Sequence, residues 1–214
     1  MSRLRKLIAD PHTPDSLSAK ARGRRWASFA ERFPDLAEMR VLDLGGEMRS
    51  WAPAPVRPKQ LMIVNLTPQQ PDGESVRTVV GDACELPGSL RDERFDLVFS
   101  NSVIEHVGGH DRCTAFAHTV HEKADHHWVQ TPYRYFPIEP HWVFPGFQFL
   151  PLRARAEVTR RWRMGRHTND LAQAIDASLT VELLSVTAMR HYFPESEIRH
   201  ERLFGLTKAL LAGR

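Results

Sequence analysis

An apolar run that reaches an acidic residue and breaks at once on two glycines constrains this chain more than any other stretch. It lies in residues 37–46 and ends VLDLGG, with Asp43, Gly45 and Gly46. The pattern reads as a buried strand feeding a tight turn. A turn that presses its backbone against a ligand has no room for a Cβ, and glycine takes positive φ angles cheaply. A nucleotide-like guest suits such a turn, although purely structural turns share the pattern.

Three further apolar runs follow. Leu61 to Val64 ends in Asn65, Leu66 and Thr67. A hydrogen-bonding side chain thus arrives about twenty residues after the glycines, where nucleotide-binding α/β folds place a ribose contact. Val76 to Val80 ends in Gly81, Asp82 and Ala83, and Phe95 to Phe99 ends in Ser100 and Asn101 before SVIEHV. Four successive strands finishing in small or polar residues predict an open α/β sheet that binds a ligand at the strands' carboxyl ends.

VLDLGG, VVGDACELP and FDLVFSNSVIEHV resemble, in order, the first, adenine-binding and fourth-strand motifs of the class I S-adenosylmethionine-dependent methyltransferases, in particular the small-molecule group of the type 11 kind. The resemblance covers roughly residues 36–131 and resumes near 180, where LLSVTAMRHYFP, SEIRHERLF and TKALLAG follow the order of the family's last helix and closing antiparallel strands. It implies a Rossmann-like, seven-stranded, mostly parallel sheet with helices on both faces and a lid inserted after the fifth strand. It also implies S-adenosylmethionine as cofactor and S-adenosylhomocysteine as product. Asp43, Gly45 and Gly46 would surround the methionine portion, Asn65 with Leu66 the ribose, Asp82 with Ala83 the adenine, and Ser100 and Asn101 would complete the cofactor site.

Departures from the family pattern are plain. Glu47 and Arg49 replace small residues, and Pro53, Pro55 and Pro58 truncate the next helix. Asn65 stands where the family carries a carboxylate that grips the ribose hydroxyls, which predicts a weaker contact and tighter cofactor binding by Asn65→Asp.

With 214 residues, 42% of them hydrophobic, the chain suits one methyltransferase domain over 1–214. Within it, residues 1–35 form an N-terminal helical segment and 132–180 a lid or substrate insertion. An amphipathic helix is expected over 14–33, with Pro14 near its start and Trp26, Phe29, Ala30 and Phe33 on one face, covering the sheet edge or cofactor entrance. A second is expected over 111–123, leading to a fifth strand at His127–Thr131. No bilayer-spanning run or secretory signal is read, so a cytoplasmic protein is expected. Cys84 and Cys113 lack metal or redox spacing and read as reduced, structural thiols. A net charge of +3 does not call for nucleic acid.

Pro132, Pro137, Pro140, Pro145 and Pro151 argue against regular secondary structure in the insertion, while its seven aromatics are too many to leave in water. An ordered lid is expected, with Tyr133, Tyr135 and Glu139 facing the acceptor; the alternative is a satellite cluster or a homodimer contact. The arginines of 153–166 read as a solvated helix face, or as a dock for an anionic acceptor.

Methyl transfer depends mainly on aligning the nucleophile and excluding water, but an oxygen nucleophile profits from a base. His106, beside Glu105, and His141, in IEPHW, are the candidates. His118, His121 and residues 125–127 lack the spacing of a metal site, and no metal is expected. The expected activity is methyl transfer to an oxygen or nitrogen of a small-molecule or carrier-linked metabolite. The rivals are a non-catalytic cofactor-binding scaffold and a nicotinamide dehydrogenase, the latter lacking its full G-x-G-x-x-G.

Overall fold

The computed structural model describes residues 17–214. The apolar runs become strands β1 (Arg40–Leu44), β2 (Gln60–Asn65), β3 (Val76–Val80), β4 (Leu97–Asn101) and β5 (His126–Pro132), all parallel. Two antiparallel strands, β8 (Glu197–Leu203) and β9 (Leu206–Gly213), complete a seven-stranded sheet in the order β3-β2-β1-β4-β5-β9-β8. The strand order reverses between β1 and β4, and the crevice outside their carboxyl ends is the ligand position of a doubly wound sheet.

Period-two alternation divides the side chains of β1 between the faces. Leu42 and Leu44 join one cluster, with Cys113, Phe116, Ala117 and Val120 of helix α2 (Gly109–Lys123) and Met189 of α5 (Val186–Tyr192). Val41 points the other way, toward Trp26, Phe29 and Phe33 of helix α1 (Leu17–Arg32). Trp26 stacks on Phe99 of β4 with ring centroids 5.5 Å apart. Each buried ring of this kind contributes roughly 1.5–3 kcal/mol. Helix α1 therefore covers a sheet face rather than an edge; Pro14, expected near its start, lies outside the described residues. Helix α2 begins at Gly109 rather than at 111, because Gly108 (φ 96°) and Gly109 (φ 69°) make the turn into it.

After the glycine turn no α-helix forms. The prolines leave one 3-10 turn, Met48–Trp51, which drives Trp51 fully into the α1-side cluster.

The proline-rich insertion has more regular structure than its composition predicts. Strands β6 (Ile138–Glu139) and β7 (Phe144–Pro145) form a two-residue antiparallel pair, followed by helices α3 (Leu152–Arg161) and α4 (Leu171–Leu179). Proline is accommodated because the pair is short and the Gly146 N–H, one residue past Pro145, donates to the Pro137 carbonyl at 2.8 Å.

Candidate functional site

Gly45 adopts φ 76° and its N–H donates to the Val64 carbonyl at 2.7 Å, bending the chain over the end of β2. A Cβ there would lie 2.6 Å from Val103 Cγ1. Asp43 is fully buried; Trp51 Nε1–H donates to its Oδ2 at 2.7 Å, while Oδ1 has no partner. Burial pushes its pKa up to about 7, against the opposing pull of the Trp51 hydrogen bond.

Two clefts meet at this turn and share Gly45 and Ser102. The first, about 270 Å³, is lined by Arg22, Arg25, Trp26, Asp43, Gly46 and Asn101 among others. The second, about 260 Å³, is lined by Asn65, Leu66, Asp82, Ala83, His106 and Arg112 among others. Between them Ser102 holds φ 59°, a costly angle for a residue with a Cβ. Its N–H donates to the Gln130 carbonyl at 2.9 Å and its hydroxyl to Gln130 Oε1 at 3.0 Å, so β5 fixes the divide.

The structure brings most of the sequence-derived cofactor residues to these clefts, but several are already engaged. Asn65 Nδ2 donates to the carbonyls of Gly45 (3.1 Å) and Gly46 (2.8 Å), and its Oδ1 accepts from Thr67 N–H and Oγ1. The amide braces the glycine turn, which a carboxylate could not do. Asp82 Oδ1 accepts from the Cys84 N–H at 2.8 Å, and Oδ2 is ion-paired with Arg112. Burial alone would raise its pKa; the Cys84 and Arg112 bonds outweigh burial and lower it. Ser100 does not reach the clefts: it is fully buried and donates to the Leu44 carbonyl at 3.0 Å, tying β4 to β1 by the same alternation that turns Asn101 outward. Asn101 Oδ1 accepts from Arg25, which also pairs with Glu201 at 2.8 Å.

In the insertion, Glu139 is 1% exposed and both its oxygens are used within the chain. Oε2 accepts from the N–H groups of His141 (2.7 Å) and Trp142 (2.9 Å), and Oε1 faces His141 Nδ1 at 2.6 Å. Glu139 therefore orders the lid instead of facing an acceptor. Tyr133 and Tyr135 line neither cleft; they meet edge to face, and Tyr135 stacks on Phe149. The two candidate bases do converge, with His106 Nε2 3.1 Å from His141 Nε2. Burial, with help from His141 and Arg166, lowers the His106 pKa to about 4. Glu105 lies beside them, buried, its pKa pushed up to about 7 by burial.

Several residues of the site were not singled out from sequence: Arg22 and Arg25 of α1, Ser102 and Arg112 on the cleft walls, and Trp51 behind Asp43. Only Trp26 and Phe29 carried a signal, the apolar face of α1. Arg22 and Arg25 stand one turn before Trp26 and Phe29 along the same side of α1, so helical spacing brings them to the cleft, but their charge makes them read as solvated surface.

Residues 21–122 match the family model described as a methyltransferase domain. No curated protein sequence matches the chain. Among solved structures, an S-adenosylmethionine-dependent methyltransferase from Mesorhizobium loti is 14% identical, with 88% of this chain and 96% of that one covered and a TM-score of 0.57. Magnesium protoporphyrin IX methyltransferase from Synechocystis PCC 6803 is 10% identical over 91% of this chain and 80% of that one, with a TM-score of 0.52. The CcbJ methyltransferase from Streptomyces caelestis is 21% identical over 52% of this chain, which spans about half (49%) of that protein's length, at a TM-score of 0.41. Residues 21–122, just under half of the chain, carry the match to the methyltransferase domain, and the chain shares the fold of the S-adenosylmethionine-dependent methyltransferases.

Proposed function

We propose that the chain binds S-adenosylmethionine across the two clefts and transfers its methyl group to an oxygen or nitrogen of a small-molecule or carrier-linked metabolite. The observation that carries this reading is the glycine turn at the β1/β4 switch point, whose Gly45 has no space for a Cβ and forms a wall of both clefts. The residues fit the cofactor chemically. The partnerless, buried Asp43 Oδ1 and the arginines of the first cleft suit an ammonium and a carboxylate. The Leu66, Ala83 and Asp82 cleft suits an adenosine, with an apolar surface and a polar edge.

When bound there, the cofactor would supply an electrophilic methyl on a sulfonium. The chain's own part is to hold an acceptor in line and keep water away, which accounts for most of the acceleration in such a displacement. His106, on the wall of the second cleft, with His141 behind it, is the group placed to take an acceptor proton. The Synechocystis relative is named for a small-molecule acceptor, which favours that substrate class over nucleic acid.

Calorimetry with S-adenosylmethionine and S-adenosylhomocysteine tests the first half; folded protein that binds neither sinks the reading. Release of S-adenosylhomocysteine across a panel of hydroxyl and amine acceptors tests the second. Binding without release on any of them would favour a non-catalytic cofactor-binding role.

A further inference from the structure

His141 Nδ1 faces Glu139 Oε1 at 2.6 Å, and His106 Nδ1 faces the Thr180 carbonyl oxygen at 3.4 Å. A carboxylate and a carbonyl only accept, so each ring carries its hydrogen on Nδ1, and each neutral ring bears a lone pair on Nε2. Those two Nε2 atoms stand 3.1 Å apart, lone pair toward lone pair. Two neutral rings of this tautomer do not hold such an approach unaided; a positive centre shared between them does.

Glu105 supplies a third donor. One ligand atom from each of Glu105, His106 and His141 lies within 4.8 Å of the others. The Glu105 side chain is 1% exposed; Oε2 accepts from Thr131 Oγ1 at 2.9 Å, and Oε1 is buried with no partner. A buried carboxylate oxygen without a donor is costly, and a cation beside it removes the cost.

We propose that Glu105, His106 and His141 bind a divalent cation of the zinc class between them, with Glu139 fixing the His141 tautomer from behind. Two imidazoles and one carboxylate form a ligand set that leaves a coordination position open in catalytic zinc sites, and a carboxylate on the far nitrogen of a ligating histidine is its usual support. The carboxyl groups of Glu105 and Glu139 offset the double charge and the opposing charge of Arg166, which lies over the Trp142 ring 5.7 Å from its centroid. Because His106 lines the Asp82 cleft, the cation lies at the wall of that cleft. An oxygen of the acceptor, hydroxyl or carboxylate, is the ligand its open position suits. That use rests on the methyl-transfer reading and replaces His106 as the proton acceptor, since its Nε2 lone pair is then held by the cation; cation binding itself does not rest on that reading.

Chelator-dialysed protein titrated with Co²⁺ alone, followed by visible absorption and by metal analysis, tests the site. A saturable band at one Co²⁺ per chain, displaced by Zn²⁺ and lost in His106→Ala and His141→Ala, is expected. Glu139→Gln should retain the band with about 10–100-fold weaker affinity. Circular dichroism melting shows which variants remain folded, and His106→Ala removes a partly exposed ring without opening the core. The proposal is overturned if the unaltered protein gives no saturable band, leaving a shared proton between the rings, or if folded His106→Ala binds Co²⁺ unchanged. Calorimetry with S-adenosylmethionine on the chelated protein reads the methyl-transfer proposal separately, since cofactor binding does not need the cation.

Discussion

A Cβ built on Gly46 would lie 1.7 Å from Asp43 Oδ2, so the second glycine of the turn is required by the carboxyl group rather than by its own backbone angle. Gly46→Ala must push Asp43 off Trp51 Nε1 and toward the first cleft. A loss of about 1–3 kcal/mol is expected from overpacking of this kind. Urea unfolding checks it, and in an Asp43→Ala background the penalty should largely disappear, since the two residues are in contact. A penalty unchanged by removing the carboxyl group would mean that the clash lies elsewhere.

Much of the sheet was legible because the strands announce themselves locally. Each of β1 to β4 is an apolar run that stops on small or polar residues, and the face each residue takes follows from alternation alone, as for Leu42 against Val41. The 3-10 turn at Met48–Trp51 followed from prolines. The β6–β7 pair was not legible, because a proline count argues against long helices and strands but says little about a two-residue pair, whereas the arginine run of 153–166 reads as a helix face and α3 forms there.

Asp43 should make stability depend on pH. Its folded pKa of about 7 exceeds the 3.8 of an exposed carboxyl. Between these values the native state keeps a proton that the unfolded chain has released, so stability falls as pH rises through this window and the full penalty applies above it. The shift corresponds to something on the order of 4 kcal/mol. Asp43→Asn, whose amide oxygen can still accept from Trp51, should therefore melt higher than the native protein at pH 8 and show little difference at pH 4. Arg22, Arg25, Glu47 and Arg49 line the same cleft, so the comparison is made at matched ionic strength. Equal melting temperatures at both pH values would show that Asp43 ionises normally.

Asn65→Asp reverses the expectation drawn from sequence. The amide nitrogen is the only donor to the Gly45 and Gly46 carbonyls from this side chain, and a carboxylate in its place would set an anion against two carbonyl oxygens. A loss of about 1–3 kcal/mol is expected, together with weaker binding of S-adenosylmethionine. Tighter binding by the variant would restore the ribose role.

The site residues were harder to read than the strands for a definite reason. Sequence gives the strand end at which a residue sits, but not what already occupies its polar atoms. Ser100 and Asn101 are neighbours in one motif, yet one is buried against Leu44 and the other meets Arg25. The meeting of His106 with His141 joins residues 35 apart through the lid, and no local spacing encodes it.

Trp142 anchors that lid. It is 1% exposed, stacks on Phe147 with centroids 4.0 Å apart, and donates from Nε1 to Thr159 Oγ1 at 2.7 Å. Trp142→Ala should cost about 3–5 kcal/mol. Trp142→Phe should recover much of the packing while leaving Thr159 without its donor. A melting temperature for Trp142→Ala within a degree or two of the native value would show that the lid is marginal to the fold.

The Arg112–Asp82 pair makes the last prediction, because it sets the ion pair against the ligand. Asp82 can meet an adenine amino group only if Oδ2 is released, and Arg112 now holds that atom from helix α2. Side-chain exposures of 42% and 36% place the pair near solvent, where such bridges contribute at most about 1 kcal/mol. Arg112→Ala should therefore tighten S-adenosylmethionine binding by no more than roughly fivefold, the equivalent of that energy. Asp82→Ala should weaken it, and the double variant should resemble Asp82→Ala, since Arg112 acts through the carboxylate. Arg112→Ala that weakens binding as much as Asp82→Ala would mean that the guanidinium itself contacts the ligand, and the assignment of Asp82 to the adenine would have to be exchanged for one in which the pair binds as a unit.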